Sequence, residues 1–294
     1  MMIRNSLFIA IILAVFAGSV AAQDKLNYRI YSADGKPVTY NEMLLAAGNA
    51  RVVLFGELHN NALAHWLQFE LTKDMFSKHG SYLVLGAEML EADGQLLLDE
   101  YLAGFVSEKN FRDQARLWSN YATDYAPLVN FARDKGLKFI ATNIPRHYAS
   151  MVAREGFESL DKLSSEAKNF IARLPVDYDE TLPGYAAMMS MGGMSGKGGH
   201  PNTNLPKAQA IKDATMAHFI IKNMKPESVF LHFHGAYHSD NYEGIFWYLK
   251  KADKNLTTLT ISTTEQSDIS TLSTESLGRA DFIIVVDEDF TKTY

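Results

Sequence analysis

The sequence predicts an α/β fold: a central, mainly parallel sheet flanked by helices, with an inserted small helical subdomain. Three observations predict it. Short apolar β-type runs occur at 52–55, 83–85, 139–141, 229–231, 256–261 and 282–286, as expected of strands buried on both faces of a parallel sheet. Helical patterns separate most of them, and alternation of strand and helix is the mark of this class. Two of the runs stop at a glycine and are followed at once by ionisable side chains. Ligands of such sheets bind at the carboxyl ends of the strands.

The elements follow in order. Arg4 gives a positive start, 7–16 is an apolar run, and Gly18-Ser19-Val20-Ala21-Ala22 is a small-residue cleavage site. Residues 1–22 therefore read as a signal peptide, with the mature chain beginning at Gln23. The run is shorter than the ~20 residues of a membrane helix, and no other segment is apolar enough to span a bilayer. The protein is expected to be exported, periplasmic or cell-surface associated. It is not expected to be a lipoprotein, because no cysteine follows the cut. The chain has no cysteine at all, which removes disulfides, thiolate metal sites and cysteine nucleophiles. About 270 mature residues are enough to bury a core. With 28 basic and 34 acidic residues the net charge is −6, and loss of Arg4 with the leader makes the mature chain one unit more acidic. That is a solvating surface, not a nucleic-acid footprint, which needs clustered basic residues.

Within 23–294 the α/β core is expected to comprise 23–145 and 225–294, and the helical insert 146–224. The stretch 62–78 repeats apolar residues at Leu63, Trp66, Leu67, Phe69, Leu71 and Met75, the spacing of one helix face. The stretches 95–101, 127–135 and 207–224 behave alike. No strand is expected between Asn143 and Ser228. That region holds helical pieces at 146–154 and 164–174, then a loop over 182–206. Glycines 192, 193, 196, 198 and 199 oppose regular structure in that loop.

The candidate functional residues sit mainly at strand ends. Glu57 and His59 follow the first core strand in Gly56-Glu57-Leu58-His59, and Asn60 or Asn61 is a suitable N-cap for the next helix. The positive helix end predicts a neutral His59 imidazole, the form that binds a metal or accepts a proton. Glu88 ends the second strand and would pair with Glu57 for metal binding or acid–base work. Arg146 opens a helix after the third strand and suits a carboxylate or phosphate. His232 and His234 lie two apart on one strand, hence on one face, and Gly235 permits a turn that returns His238 to the site.

Several of these segments together resemble the ChaN-type haem-binding uptake proteins of the Tiki superfamily. The likeness runs from about Leu54 to Val286. It is carried by Gly56-Glu57-Leu58-His59, Gly86-Ala87-Glu88-Met89, Tyr125-Ala126-Pro127-Leu128-Val129 and Ala141-Thr142-Asn143-Ile144-Pro145-Arg146. Gln209-Ala210-Ile211-Lys212-Asp213-Ala214-Thr215-Met216-Ala217 and Gly235-Ala236-Tyr237-His238 extend it. The resemblance implies a large α/β domain with a smaller helical one, and a homodimer that holds haem between protomers through a tyrosine. It implies haem as ligand and an outer-membrane haem receptor as partner. Haem has a flat apolar face and anionic propionates, and Tyr, His and Met are its cysteine-free ligands. The insert offers Tyr178, Tyr185, Met188, Met191, Lys197 and His200. Distant members of the superfamily are metal-dependent proteases or macrolide esterases. The resemblance thus keeps a second reading open, a metal-dependent hydrolase. There His59, Glu88, His234 and His238 would hold Zn, Mn or Co, with Glu57 as general base and Arg146 assisting.

Overall fold

A computed structural model of the protein describes residues 25–192 and 203–294. Its strands are β1 (Tyr28–Ser32), β2 (Pro37–Val38), β3 (Val52–Glu57), β4 (Leu83–Glu91), β5 (Lys138–Asn143), β6 (Val229–Gly235), β7 (Thr258–Gln266) and β8 (Phe282–Asp287). They form a single sheet in the order β2-β1-β8-β7-β3-β6-β4-β5. The six strands from β8 to β5 are mutually parallel, and they are the six apolar runs. The short hairpin β1–β2 joins β8 antiparallel. Its sequence, Tyr28-Arg29-Ile30-Tyr31-Ser32, has no unbroken apolar run. It becomes a strand because β8 offers a free edge, with partners from Tyr28↔Val286 to Ser32↔Phe282.

The helices are α1 (Tyr40–Ala47), α2 (Ala62–His79), α3 (Gln95–Leu102), α4 (Glu108–Gln114), α5 (Ala126–Lys135), α6 (Arg146–Glu155), α7 (Ser165–Lys168), α8 (Pro183–Gly192), α9 (Leu205–Asn223) and α10 (Ile245–Ala252). Alternation along the strands divides the core. Val53, Phe55, Leu85, Phe139, Leu231 and Phe233 pack with Leu67 and Leu71 of α2 and Leu128 of α5. Val52, Leu54, Val84, Ile140 and Phe230 pack with Val152 of α6, Ile211 and Ile220 of α9 and Leu249 of α10. Helices α6 and α9 therefore form much of the second layer. Among the described residues no helix is long and apolar enough to cross a membrane.

Local chemistry sets the ends. Asn61 caps α2, its side chain accepting from the Ala64 N–H at 2.9 Å. Gly136, in the left-handed region at φ 65°, stops α5. The outer edge of β5 is covered by Gln95, which donates to Phe139 O at 3.0 Å and accepts from Ala141 N at 2.7 Å. Two expectations change. The 164–174 stretch contains only the short α7, followed by turns. The 182–206 loop opens with α8, because Ala186, Ala187, Met188 and Met189 favour helix before the glycines begin.

Candidate functional site

The register of β3 on β6 builds the site. Glu57, the last residue of β3, stands beside Gly235, the last of β6, and β4 flanks β6 on its other side. Strand ends far apart in sequence thus share one rim. Successive side chains point to opposite faces, so the polar cluster at this rim has two halves.

The half under α2 is centred on Glu57, which is 1% exposed. Its Oε1 accepts from Tyr125 Oη at 2.6 Å and lies 2.9 Å from His59 Nδ1, while Oε2 accepts from Gln68 at 2.6 Å. His65 of α2 lies 3.4 Å from the same carboxylate. Tyr125 closes a single π-helical turn, Tyr121–Tyr125, a widening often found at functional sites. Burial, and then the Glu57 charge, pushes the Tyr125 phenol up, so it remains a donor.

The half under α9 is centred on His238. Its Nε2 lies 3.1 Å from Glu88 Oε1, and its Nδ1 contacts Asp213 of α9. Glu88 Oε2 accepts the Gly235 N–H at 2.9 Å. Asp213 accepts from Tyr185 at 2.7 Å, and Gln209 reaches His238 at 3.0 Å. Burial alone would depress the His238 imidazole, but Glu88 and Asp213 outweigh it and push the pKa up to about 10. An imidazolium is thus held beside the Glu88 carboxylate at neutral pH, with Asp213 on its other side, whose own carboxyl burial pushes up against the lowering by His238. Burial opposes ionisation of Glu88 as well, yet His238 holds its carboxyl well below the usual carboxylate range. His232 and His234 share this face, with their Nδ1 atoms 3.0 Å apart. Burial pushes His232 down to about 3 and His234 well below its ordinary value. Both stay neutral, and they bond to Thr142 and Ser239.

His59 connects the halves over the rim. A Cβ on Gly235 would stand 2.8 Å from His59 Cε1 and Nε2 and 3.6 Å from Glu88 Oε2, so only glycine leaves room for the ring. The His59 side chain is 35% exposed, while that of Glu57 is fully buried. Trp118 meets the ring edge-on at 4.8 Å. The helix end is not the only influence on His59. Burial lowers its pKa, but the Glu57 hydrogen bond and the charges of Glu88 and Glu57 raise it above the ordinary value. A carboxylate behind Nδ1 and a side chain that is one-third exposed make an oriented proton donor and acceptor.

The structure brings Glu57, His59, Glu88, His234 and His238 to one rim, but not into one donor set. Among the described residues no group of three or more His, Cys, Asp or Glu is arranged to hold a metal ion. The reason is visible in the bonds: His234 turns to His232 and Ser239, and His238 lies between its two carboxylates. Arg146, at the start of α6, is outside the buried cluster, its side chain 78% exposed. Tyr185 is 3% exposed and bound to Asp213. Tyr178 is half-buried against Tyr185, with ring centroids 5.6 Å apart. Met188 is half-buried on α8. The side chain of Met191, and Lys197 and His200, lie outside the described residues. Gln68, His65, Gln209, Asp213 and Trp118 were not singled out as site residues from the sequence. Polar residues spaced i, i+3 or i, i+4 on the buried faces of α2 and α9 are the signal that marks the first four.

The fold and site define an α/β protein with a buried polar chain at the carboxyl rim of a parallel sheet. The model of the family described as haem-binding uptake, Tiki superfamily, ChaN, matches residues 43–249, and the chain belongs to that family. A solved structure titled for cofacial heme binding to ChaN of Campylobacter jejuni shares the fold, with a TM-score of 0.68 at 16% identity, covering 90% of this chain and 99% of that one. A mutant of the erythromycin esterase EreC in its open conformation gives a TM-score of 0.47 at 12% identity, covering 89% and 83%. The type III effector HopBA1 gives 0.46 at 11%, covering 84% and 92%. No curated protein matches the sequence.

Proposed function

We propose that the protein binds haem and serves haem uptake after export through the 1–22 leader, as a homodimer that hands haem to an outer-membrane receptor. Membership of the haem-binding family over 43–249 carries this reading. The residues of the insert suit the ligand. Tyr178 is half-buried, and on α8 Met188 is half-buried and Met189 39% exposed. Together they supply a phenol and soft apolar contacts of the kind haem takes. Tyr185 is the less accessible of the two tyrosines, being bound to Asp213, so Tyr178 is the iron ligand we assign. Haem itself supplies the iron and the flat apolar face; this chain orients it and shields it from water.

Titration of the purified chain with haemin tests the reading. A saturable Soret shift with a high-spin ferric spectrum is expected. Tyr178→Phe should change that spectrum and weaken binding. Absence of a saturable shift in the wild type overturns the haem reading, and an unchanged spectrum in Tyr178→Phe removes Tyr178 as ligand. Size-exclusion chromatography with and without haemin tests the dimer.

A further inference from the structure

A second concentration of ionisable side chains lies at the opposite pole of the fold from the polar rim. Helices α9 and α10 end there, shortly before β6 and β7 begin, so this pole holds the amino ends of the strands. A cleft of about 550 Å³ opens between the 168–173 segment and the carboxyl ends of the two helices. That volume is typical of a small-molecule site. Lys168, Arg173, His218, Ile221 and Lys222 line it, and among the described residues no carboxylate does. Such a basic surface stands out in a chain of net charge −6.

Local structure fixes the cations. Ile171 is buried in the second core layer with Phe219 and Ile220, and the Ala172 N–H donates to Thr215 Oγ1 at 3.1 Å. The segment that carries Arg173 is thus tied to α9. Thr215, His218 and Lys222 stand at i, i+3 and i+7, one face of that helix. Arg173 therefore joins His218 and Lys222 on that face. Their charges reach the ring: burial first, then Lys222 and Arg173, push the His218 pKa down. These cations lack counter-charges. The nearby Lys162 and Lys251 are paired with Glu155 and Asp177, each at 3.2 Å. Among the described residues, neither Arg173 nor Lys222 has a carboxylate within ion-pair distance, and neither ring nitrogen of His218 has a hydrogen-bond partner. Lys222 rests on the Phe219 ring at 5.2 Å, and Lys168 donates to the Asp161 carbonyl at 3.0 Å. A helix carboxyl end attracts a cation, which accounts for Lys222 and not for Arg173.

Like charges gathered without a counter-charge repel, and a bound anion removes that cost. A guanidinium fork beside an ammonium and an imidazole is a donor set for phosphate oxygens. We propose that this cleft binds a dianionic phosphate group, with Arg173, Lys222 and His218 donating to its oxygens and Lys168 adding charge at the lip. Ile221, 39% exposed beside Lys222, gives the esterified part of the ligand an apolar contact. A soluble phosphate monoester and the headgroup of phosphatidic acid share this chemistry.

Glycerol 3-phosphate is the first probe, titrated into the full chain at constant ionic strength and followed by NMR at His218. A saturable shift is expected, with the His218 pKa raised by about one unit or more on binding. Arg173→Gln with Lys222→Gln should raise the Kd by about tenfold or more. Both side chains are exposed. The folded double variant should also show a higher His218 pKa before any ligand is added, because both charges that lower it are gone. Lys36→Gln with Lys109→Gln, the same loss of charge at exposed positions outside the cleft, should leave the Kd as it was. Vesicles of phosphatidylcholine with and without phosphatidic acid form the second arm. Recruitment by phosphatidic acid that is lost in the double variant names a lipid headgroup as the source. Binding of glycerol 3-phosphate without recruitment names a soluble ester. No saturable response in either arm, a double variant that responds as the wild type does, or an equal response to chloride at the same ionic strength overturns the proposal. Neither arm uses haemin, so the outcome is independent of the haem reading.

Discussion

At the residue scale, the clearest consequence concerns His238. Its imidazolium stabilises the fold in full below the ordinary value of 6.5 and loses that contribution as pH rises towards about 10. Glu88, with its folded pKa lowered, contributes above the ordinary value of 4.5 and loses it as pH falls. Urea unfolding should therefore show the Glu88–His238 pair at full strength between these two values, with a decline between pH 6.5 and 10. His238→Gln should abolish that alkaline decline and cost about 3–5 kcal/mol near pH 6, since Glu88 and Asp213 lose the charge between them. A variant with the wild-type pH profile would show that the ion chain does not form. Gly235→Ala makes a second test. The added methyl displaces the His59 ring from Glu57 and Glu88. Stability should fall by about 1–3 kcal/mol, and the His59 pKa, read by NMR, should drop towards its ordinary value.

At the scale of the element, the edge of β5 depends on one side chain. Gln95 satisfies a carbonyl and an N–H that a ninth strand would otherwise take. Gln95→Leu leaves both without that partner, at a cost of about 1–3 kcal/mol, and exposes an edge for pairing with another chain. A lowered urea midpoint with increased light scattering on warming is expected; an unchanged midpoint would show that water replaces the amide. The parallel strands and the long helices α2 and α9 are legible in sequence, because burial on two faces or on one stripe leaves an apolar pattern. The shorter α1, α4 and α10 are not. Helix α1 is held by the capping box of Thr39 and Glu42, and such a local device makes little mark on apolar periodicity.

For the whole molecule, ligand binding and stability are linked. Haemin at a hundredfold excess over its Kd should add about 2.7 kcal/mol to the unfolding free energy. For a domain of this size that corresponds to melting roughly 5–10 °C higher by circular dichroism. No change in melting at saturating haemin would mean that the native fold does not hold it.

The sequence by itself determined the α/β class, the six parallel strands and the residues at their ends. Unbroken apolar runs and the polar residues that stop them are properties of the chain alone. Only the tertiary structure decided how those ends combine. Parallel pairing of β3 with β6 set Glu57 beside Gly235, alternation placed Glu57 under α2 and His234 on the α9 face, and the tight turn after β6 brought His238 to Asp213 of α9. It also decided the charges. A helix end argues for a lowered His59 pKa, but Glu57 and Glu88, brought close by folding, raise it above the ordinary value. Asp213 lies in the middle of a helix that is largely buried, and its position there cannot show that its partner is His238. A pairwise interaction across 25 residues is decided by which elements pack together, and neither residue alone records it.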